Sequence, residues 1–287
     1  MKIKLLIFLT LILVTATLSF AQEAQKEINP FPFAQYNNPN FSLLIQVANP
    51  NGYERYSSDR LSLFQHWLSN LPLMPQGTPV LNWKGKKVAE ADTLNRILDM
   101  NINSKYVTDA DIPVLLLLNF FHLQGTADNF NVILKDNLVV NYKNWLHGKY
   151  IEEKGKDIYY RAEGLTRVDT DEEFQQYLDF VTKHFDTKSL RRNIEHVNST
   201  VFKASNVFIQ FKQDDPDSIG HTAVILDVAV GKDKTRRMLV AYGGNPAQSV
   251  IVPNTGKSAY GQWFSLEQLR EHLDEFGMGY MYRWKAN

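Results

Sequence analysis

The sequence predicts an α+β fold: a helical N-terminal part followed by an antiparallel sheet. Three observations carry this expectation. Residues 112–121 are apolar apart from Asn119, a block too short to cross a bilayer and suited to a buried central helix. Leu61, Phe64, Trp67, Leu68 and Leu71 recur at helical spacing. The C-terminal third instead holds four strand-like runs, 207–212, 223–230, 238–242 and 250–252, separated by turn residues.

In chain order, the first expectation is a signal peptide over residues 1–21. Lys2 and Lys4 precede an apolar stretch of about 14 residues, shorter than the roughly 20 of a membrane span, and Ser19-Phe20-Ala21 places small residues where a signal peptidase reads. Cleavage after Ala21 would send the chain to the periplasm or outside the cell with no transmembrane anchor; an uncleaved anchor is the alternative. No cysteine follows the cleavage site, so a lipoprotein is not expected.

Residues 22–55 are rich in turn signals (Asn29-Pro30, Asn37-Asn38-Pro39-Asn40, Asn49-Pro50-Asn51-Gly52) and are expected to be loosely ordered, with a short strand over 41–47. Residues 56–287 are then one α+β domain. Its first helix is expected to start at Ser57 or Ser58 and close at Pro72, with a strand over 80–83. Thr108, Asp109 and Asp111 supply oxygens and negative charge at the start of the central helix. Pro113 must lie in its first turn, which puts the start near Ala110 or Asp111, and Gly125 ends it.

Beyond that helix, residues 131–135 and 138–145 flank Asp136-Asn137 as a hairpin, and residues 149–168 read as polar and irregular. Thr170 and Glu173 have capping-box spacing ahead of Phe174, Tyr177, Leu178 and Val181. A short helix over 187–196 follows. After the four strand runs, Ser265 and Gln268 open a helix through Phe276, and residues 279–284 form a last strand.

Composition bounds the function. Without the leader the chain has 29 basic and 31 acidic residues, so no basic excess points to nucleic acid. There is no cysteine, which rules out disulfides, thiolate metal sites and a thiol nucleophile. No phosphate loop, Gly-x-Ser-x-Gly or His-Glu-x-x-His is present, and no cofactor is expected.

Several segments together resemble the secreted bacterial family known as domain of unknown function 4846. They are Phe64-Gln65-His66-Trp67-Leu68-Ser69-Asn70-Leu71-Pro72-Leu73, Ala110-Asp111, the run from Asn141 to Gly148, Asn206-Val207-Phe208-Ile209-Gln210, Gly220-His221-Thr222-Ala223-Val224-Ile225 and Pro246-Ala247-Gln248. The element order in turn resembles the papain-like, NlpC-type cell-wall peptidases: a polar residue at a buried helix start, then a sheet whose second strand opens with histidine. That resemblance implies a thiolate at the helix N-terminus, a histidine that takes its proton, and a third polar residue orienting the ring. The resemblance to the 4846 family implies a cysteine before the Ala-Asp pair; here Asp109 stands in that place, so the thiol chemistry is absent. A carboxylate there is a poor acyl-transfer nucleophile, because the anhydride it would form is itself highly reactive.

Asp109, Asp111 and His221 are therefore the candidate binding residues, with Asn245 and Gln248 as candidates for the orienting position. Of these, His221, Asp109 and Gln248 are the candidates for any catalysis. Local readings compete with each: a helix cap for the aspartates, a satisfied strand-end histidine for His221, a turn for Asn245-Pro246. The spacing of Asp109, Asp111 and His221 is no metal motif, and no metal is expected. Trp145, Tyr260 and Trp263 are core residues or, alternatively, the lining of a sugar or peptide groove. The preferred expectation is a catalytically degenerate papain-like domain binding a cell-envelope ligand or a protein partner. The alternatives are a non-cysteine hydrolase using Asp109 or Asp111 with His221, with or without a metal, and a structural envelope component.

Overall fold

The computed structural model describes residues 29–36, 38–89, 94–155, 157–211, 220–273 and 279–285. The expected signal peptide lies outside them, as do the ends of the expected 207–212 strand and of the C-terminal helix. The chain divides into two units, Met1–Pro32 and Phe33–Asn287. Of the first, the described part is a turn in which the Phe31 amide donates to Asn29 Oδ1 at 2.9 Å. The second unit mixes helices with antiparallel sheets, as an α+β fold requires.

Its main sheet has seven antiparallel strands. Six lie in the order Trp263–Phe264, Arg236–Ala241, Thr222–Gly231, Val207–Gln210, Gly279–Trp284 and Ile194–His196. The seventh, Tyr53–Arg55, pairs with the far end of Thr222–Gly231, Tyr53 opposite Gly231. Three of the four expected runs are strands of this sheet. The fourth, Ile251–Val252, pairs instead with Arg96–Ile97 in a separate two-stranded ladder.

The strand Thr222–Gly231 is buried on both faces over most of its length, which is why it reads as a continuous apolar run rather than an alternating one. Phe208, Ile225, Val228, Met238, Val240, Phe264 and Met281 form one core with Leu269 and Leu273. Ile225 and Val228 share that core although three residues apart. A register shift between Ile225 and Asp227 makes this possible: the extra residue reverses the alternation. The same bulge accompanies a buried Asp227 whose Oδ2 accepts from Arg55 Nε at 2.6 Å, tying the N-terminal strand to the sheet.

The central helix is Ile112–Leu123, with Pro113 in its first turn and every residue from Ile112 to Phe120 buried. It lies against Thr222–Gly231. Gly125, at φ +66, accepts the left-handed conformation that ends it, its amide donating to the His122 carbonyl at 2.9 Å.

Several expectations change. Residues 41–47 hold a helix, Leu43–Gln46, rather than a strand. Residues 33–55 are built into the domain: Leu43 and Leu73 exchange backbone bonds with Leu71 and Phe41, and Asp99 accepts from the Gln35 and Tyr36 amides. The first long helix starts at Leu63, not at Ser57 or Ser58, because Ser62 and Gln65 form a reciprocal capping box there. The expected 187–196 helix ends at Asn193, and its last residues join the sheet as Ile194–His196.

The hairpin at 132–140 is present, with Asp136 and Asn137 both left-handed at φ 53 and 60, the turn that two-residue hairpins favour. Its second arm stops at Val140, and Tyr142–Leu146 is helical. Residues 149–168 are not irregular: Lys149–Lys154 and Asp157–Ala162 form a ribbon of six paired residues each. Ile151 is its one buried hydrophobic among the described residues, so no apolar alternation announces it.

Candidate functional site

The site is assembled where the start of the central helix meets the opening of Thr222–Gly231. The turn before the helix, from Thr108 to Asp111, is closed by the Asp111 amide donating to the Thr108 carbonyl at 3.1 Å. Asp111 Oδ2 accepts in return from the Thr108 amide at 2.7 Å and the Thr108 hydroxyl at 2.8 Å. That leaves the Asp109 side chain to cross to the sheet. Its Oδ2 accepts from the Thr222 backbone amide at 3.0 Å and lies 3.4 Å from His221 Nδ1.

Two glycines make this contact possible. A Cβ on Gly220 would fall 1.4 Å from the Gln210 carbonyl oxygen, so only glycine lets the chain pass that strand and deliver His221. A Cβ on Gly243 would meet Ile112 Cγ1 at 3.3 Å and Asp109 Cα at 3.6 Å, so this backbone packs directly on the helix start. The glycine pair therefore approaches protein rather than leaving open space.

The carboxylates differ in environment. Asp109 is 4% exposed and Asp111 is fully buried; the Oδ1 atoms of both, and the Thr222 hydroxyl, are buried without a hydrogen-bond partner. Burial raises the Asp111 carboxyl to about 8, outweighing the two bonds from Thr108, with smaller contributions from Asp109 and Asp186. The His221 ring is 32% exposed and faces solvent more than its partner does.

Tyr242 and His272 extend the cluster, and the sequence reading missed both. The Tyr242 hydroxyl lies 3.0 Å from His272 Nε2. Burial, and then the nearby His221, lower His272 below the ordinary histidine value. Burial pushes the Tyr242 phenol up to about 12. Tyr242 directly precedes Gly243-Gly244, the one local hint available; His272 sits in the last turn of Leu266–His272 and gave none.

Neither candidate for the orienting position has a contact with His221 comparable to that of Asp109. Asn245 is exposed, and Gln248 folds across Gly244 while its backbone bridges Asn82. Among the described residues, no group of three or more His, Asp or Glu is placed to hold a metal ion. The aromatic candidates have structural work: Trp263 is buried and donates to the Ala48 carbonyl at 2.8 Å, Tyr260 lies 3.3 Å under the Arg237 guanidinium, and Trp145 bonds Glu173 at 2.6 Å.

Chemically, a buried carboxyl group within hydrogen-bond distance of one imidazole nitrogen orients the ring and leaves its other nitrogen for a ligand or a water. A family model, Domain of unknown function (4846), matches residues 43–278, which include every residue of this cluster. The chain belongs to that family. Searches of curated proteins and of solved structures returned no match. Among the described residues no helix is long and apolar enough to cross a membrane.

Proposed function

We propose that this member of the 4846 family is an exported binding domain with a papain-like core, holding a cell-envelope ligand or a protein partner at the Asp109–His221 pair. The observation that carries the reading is the 3.4 Å contact between Asp109 Oδ2 and His221 Nδ1 at the start of the buried helix. It sets a carboxyl group beside the imidazole where the papain-like resemblance implies a thiolate, in a chain with no cysteine. Asp109 is held by the Thr222 amide and turned toward the imidazole, a role of positioning rather than attack. The export step rests on the basic and apolar leader of residues 1–21.

Thermal unfolding in the presence of solubilised peptidoglycan fragments or envelope extract tests it. A ligand at 100 times its Kd stabilises the folded state by about 2.7 kcal/mol. The melting temperature should rise for the natural protein and not for His221→Ala. No response to any envelope component counts against the reading.

One observation favours a second reading. An imidazole oriented by a buried carboxylate is also how a hydrolase prepares a general base for an attacking water. Turnover lost in both Asp109→Asn and His221→Ala would establish it, and full activity in either variant would remove it.

A further inference from the structure

Away from the Asp109–His221 pair, two cavities share a wall. One, of about 210 Å³, runs beside Asp99, Asn101 and Ser249. The other, of about 600 Å³, lies among Lys105, Tyr106, Phe180 and Lys183. Trp83 and Asn103 line both, so the two cavities adjoin and together make up the trough. The larger part alone is in the size range of small-ligand sites.

Three aromatic residues from three separate segments line this trough: Trp83 from the turn after Val80–Leu81, Tyr106 from the loop before the central helix, and Phe180 from Asp171–His184, whose ring also packs on Trp145 at 4.9 Å. Tyr106 is 43% exposed, so its ring is accessible. Ammonium groups already lie over two of the rings, Lys84 at 4.7 Å from the Trp83 centroid and Lys105 at 5.0 Å from that of Tyr106. The electron-rich faces thus attract polarised groups, and the C–H face of a pyranose is such a group.

The remaining lining selects among ligands. Lys105 and Lys183 are offset by Asp179 in the trough and by Glu153, which lies 3.6 Å from Lys183 Nζ and 3.5 Å from His184 Nδ1. No strong net charge is left to attract a nucleic acid. The Asn103 amide and the Lys105 and Lys183 ammonium groups in the lining suit a polar ligand rather than a lipid chain. Aromatic side chains together with the Asn103 amide and the Ser104 hydroxyl, around an open cavity of about 600 Å³, fit sugar rings.

We propose that this trough is an oligosaccharide-binding site, in which sugar rings stack on Trp83, Tyr106 and Phe180 and their hydroxyls bond to Asn103 and the flanking lysines. It uses no residue of the Asp109–His221 cluster and does not depend on the function proposed for that cluster. Isothermal titration of the natural protein with β-1,4-linked tetrasaccharides of glucose and of N-acetylglucosamine, and with a tetrasaccharide of galacturonate, tests it. The three arms separate neutral, N-acetylated and acidic chains. At least one should bind, Tyr106→Ala and Trp83→Ala should each weaken it about tenfold or more, and His221→Ala should leave it unchanged. If Trp83→Ala fails to fold, Tyr106→Ala still decides, because that ring is at the surface. Absence of binding by all three sugars at millimolar concentration overturns the proposal. So does binding that survives Tyr106→Ala, whether or not it is lost in His221→Ala.

Discussion

The Asp109–His221 corner and the Trp83 trough are built in opposite ways. The corner is polar, buried at Asp109 and Thr222 and open to solvent at His221, and is held by a helix start, a strand opening and two closely packed glycines. The trough is open, aromatic and assembled from turn, loop and helix surface. Rigid elements can hold a hydrogen-bonding pair within a few tenths of an ångström, whereas exposed rings can yield to a ligand of variable shape. The first arrangement suits a fixed contact with one chemical group, the second recognition of an extended chain. Stability should therefore depend on the corner and hardly at all on the exposed Tyr106 ring of the trough.

The largest expected effect is at Gly220. Gly220→Ala puts a methyl 1.4 Å from the Gln210 carbonyl oxygen, so the strand opening must move. We expect a loss of about 3 kcal/mol or more in urea unfolding, with any ligand effect at His221 lost as well. Asp109→Ala comes next: it strips the buried Thr222 amide of its acceptor and should cost about 1–3 kcal/mol, with Asp109→Asn recovering part of that. A cost near zero would mean that the corner is less constrained than its geometry implies.

Asp111 gives a pH test. Its folded-state value, raised from 3.8 to about 8, means that the folded protein holds a proton which the unfolded chain releases between those pH values. Its contribution to stability is therefore fully present below about pH 4 and falls away as pH rises toward 8. Asp111→Asn, which resembles the protonated acid, should flatten that part of the stability–pH curve. An unchanged curve would show that Asp111 ionises normally. The smallest effect belongs to the trough: Tyr106→Ala, at an exposed ring, should change stability by no more than about 0.5 kcal/mol. A large loss there would undo the contrast between the two regions.

How much was legible follows from range. The central helix and the strand at residue 222 announce themselves because burial on all sides leaves an uninterrupted apolar run. Gly125 and the Asp136-Asn137 turn are local backbone signals and were readable as such. The ribbon over 149–162 was not, since its pairing is by backbone and its faces are mostly exposed. Nothing local distinguishes Ile251–Val252, which joins a small ladder, from the strands of the main sheet. The Asp109–His221 contact spans 112 residues and was reached only through element order and family resemblance. Tyr242 with His272, and Trp83 with Tyr106 and Phe180, carry no motif. Ordinary residues become a site when packing brings them together.

The central claim, that the Asp109–His221 corner receives a ligand, is tested most directly by amide NMR spectra of the ¹⁵N-labelled protein titrated with peptidoglycan fragments and envelope extract. The account predicts that the amides of His221, Thr222 and Gly243 shift with added ligand and that the shifts vanish in Asp109→Asn. Spectra in which these three amides stay fixed under every addition would contradict it.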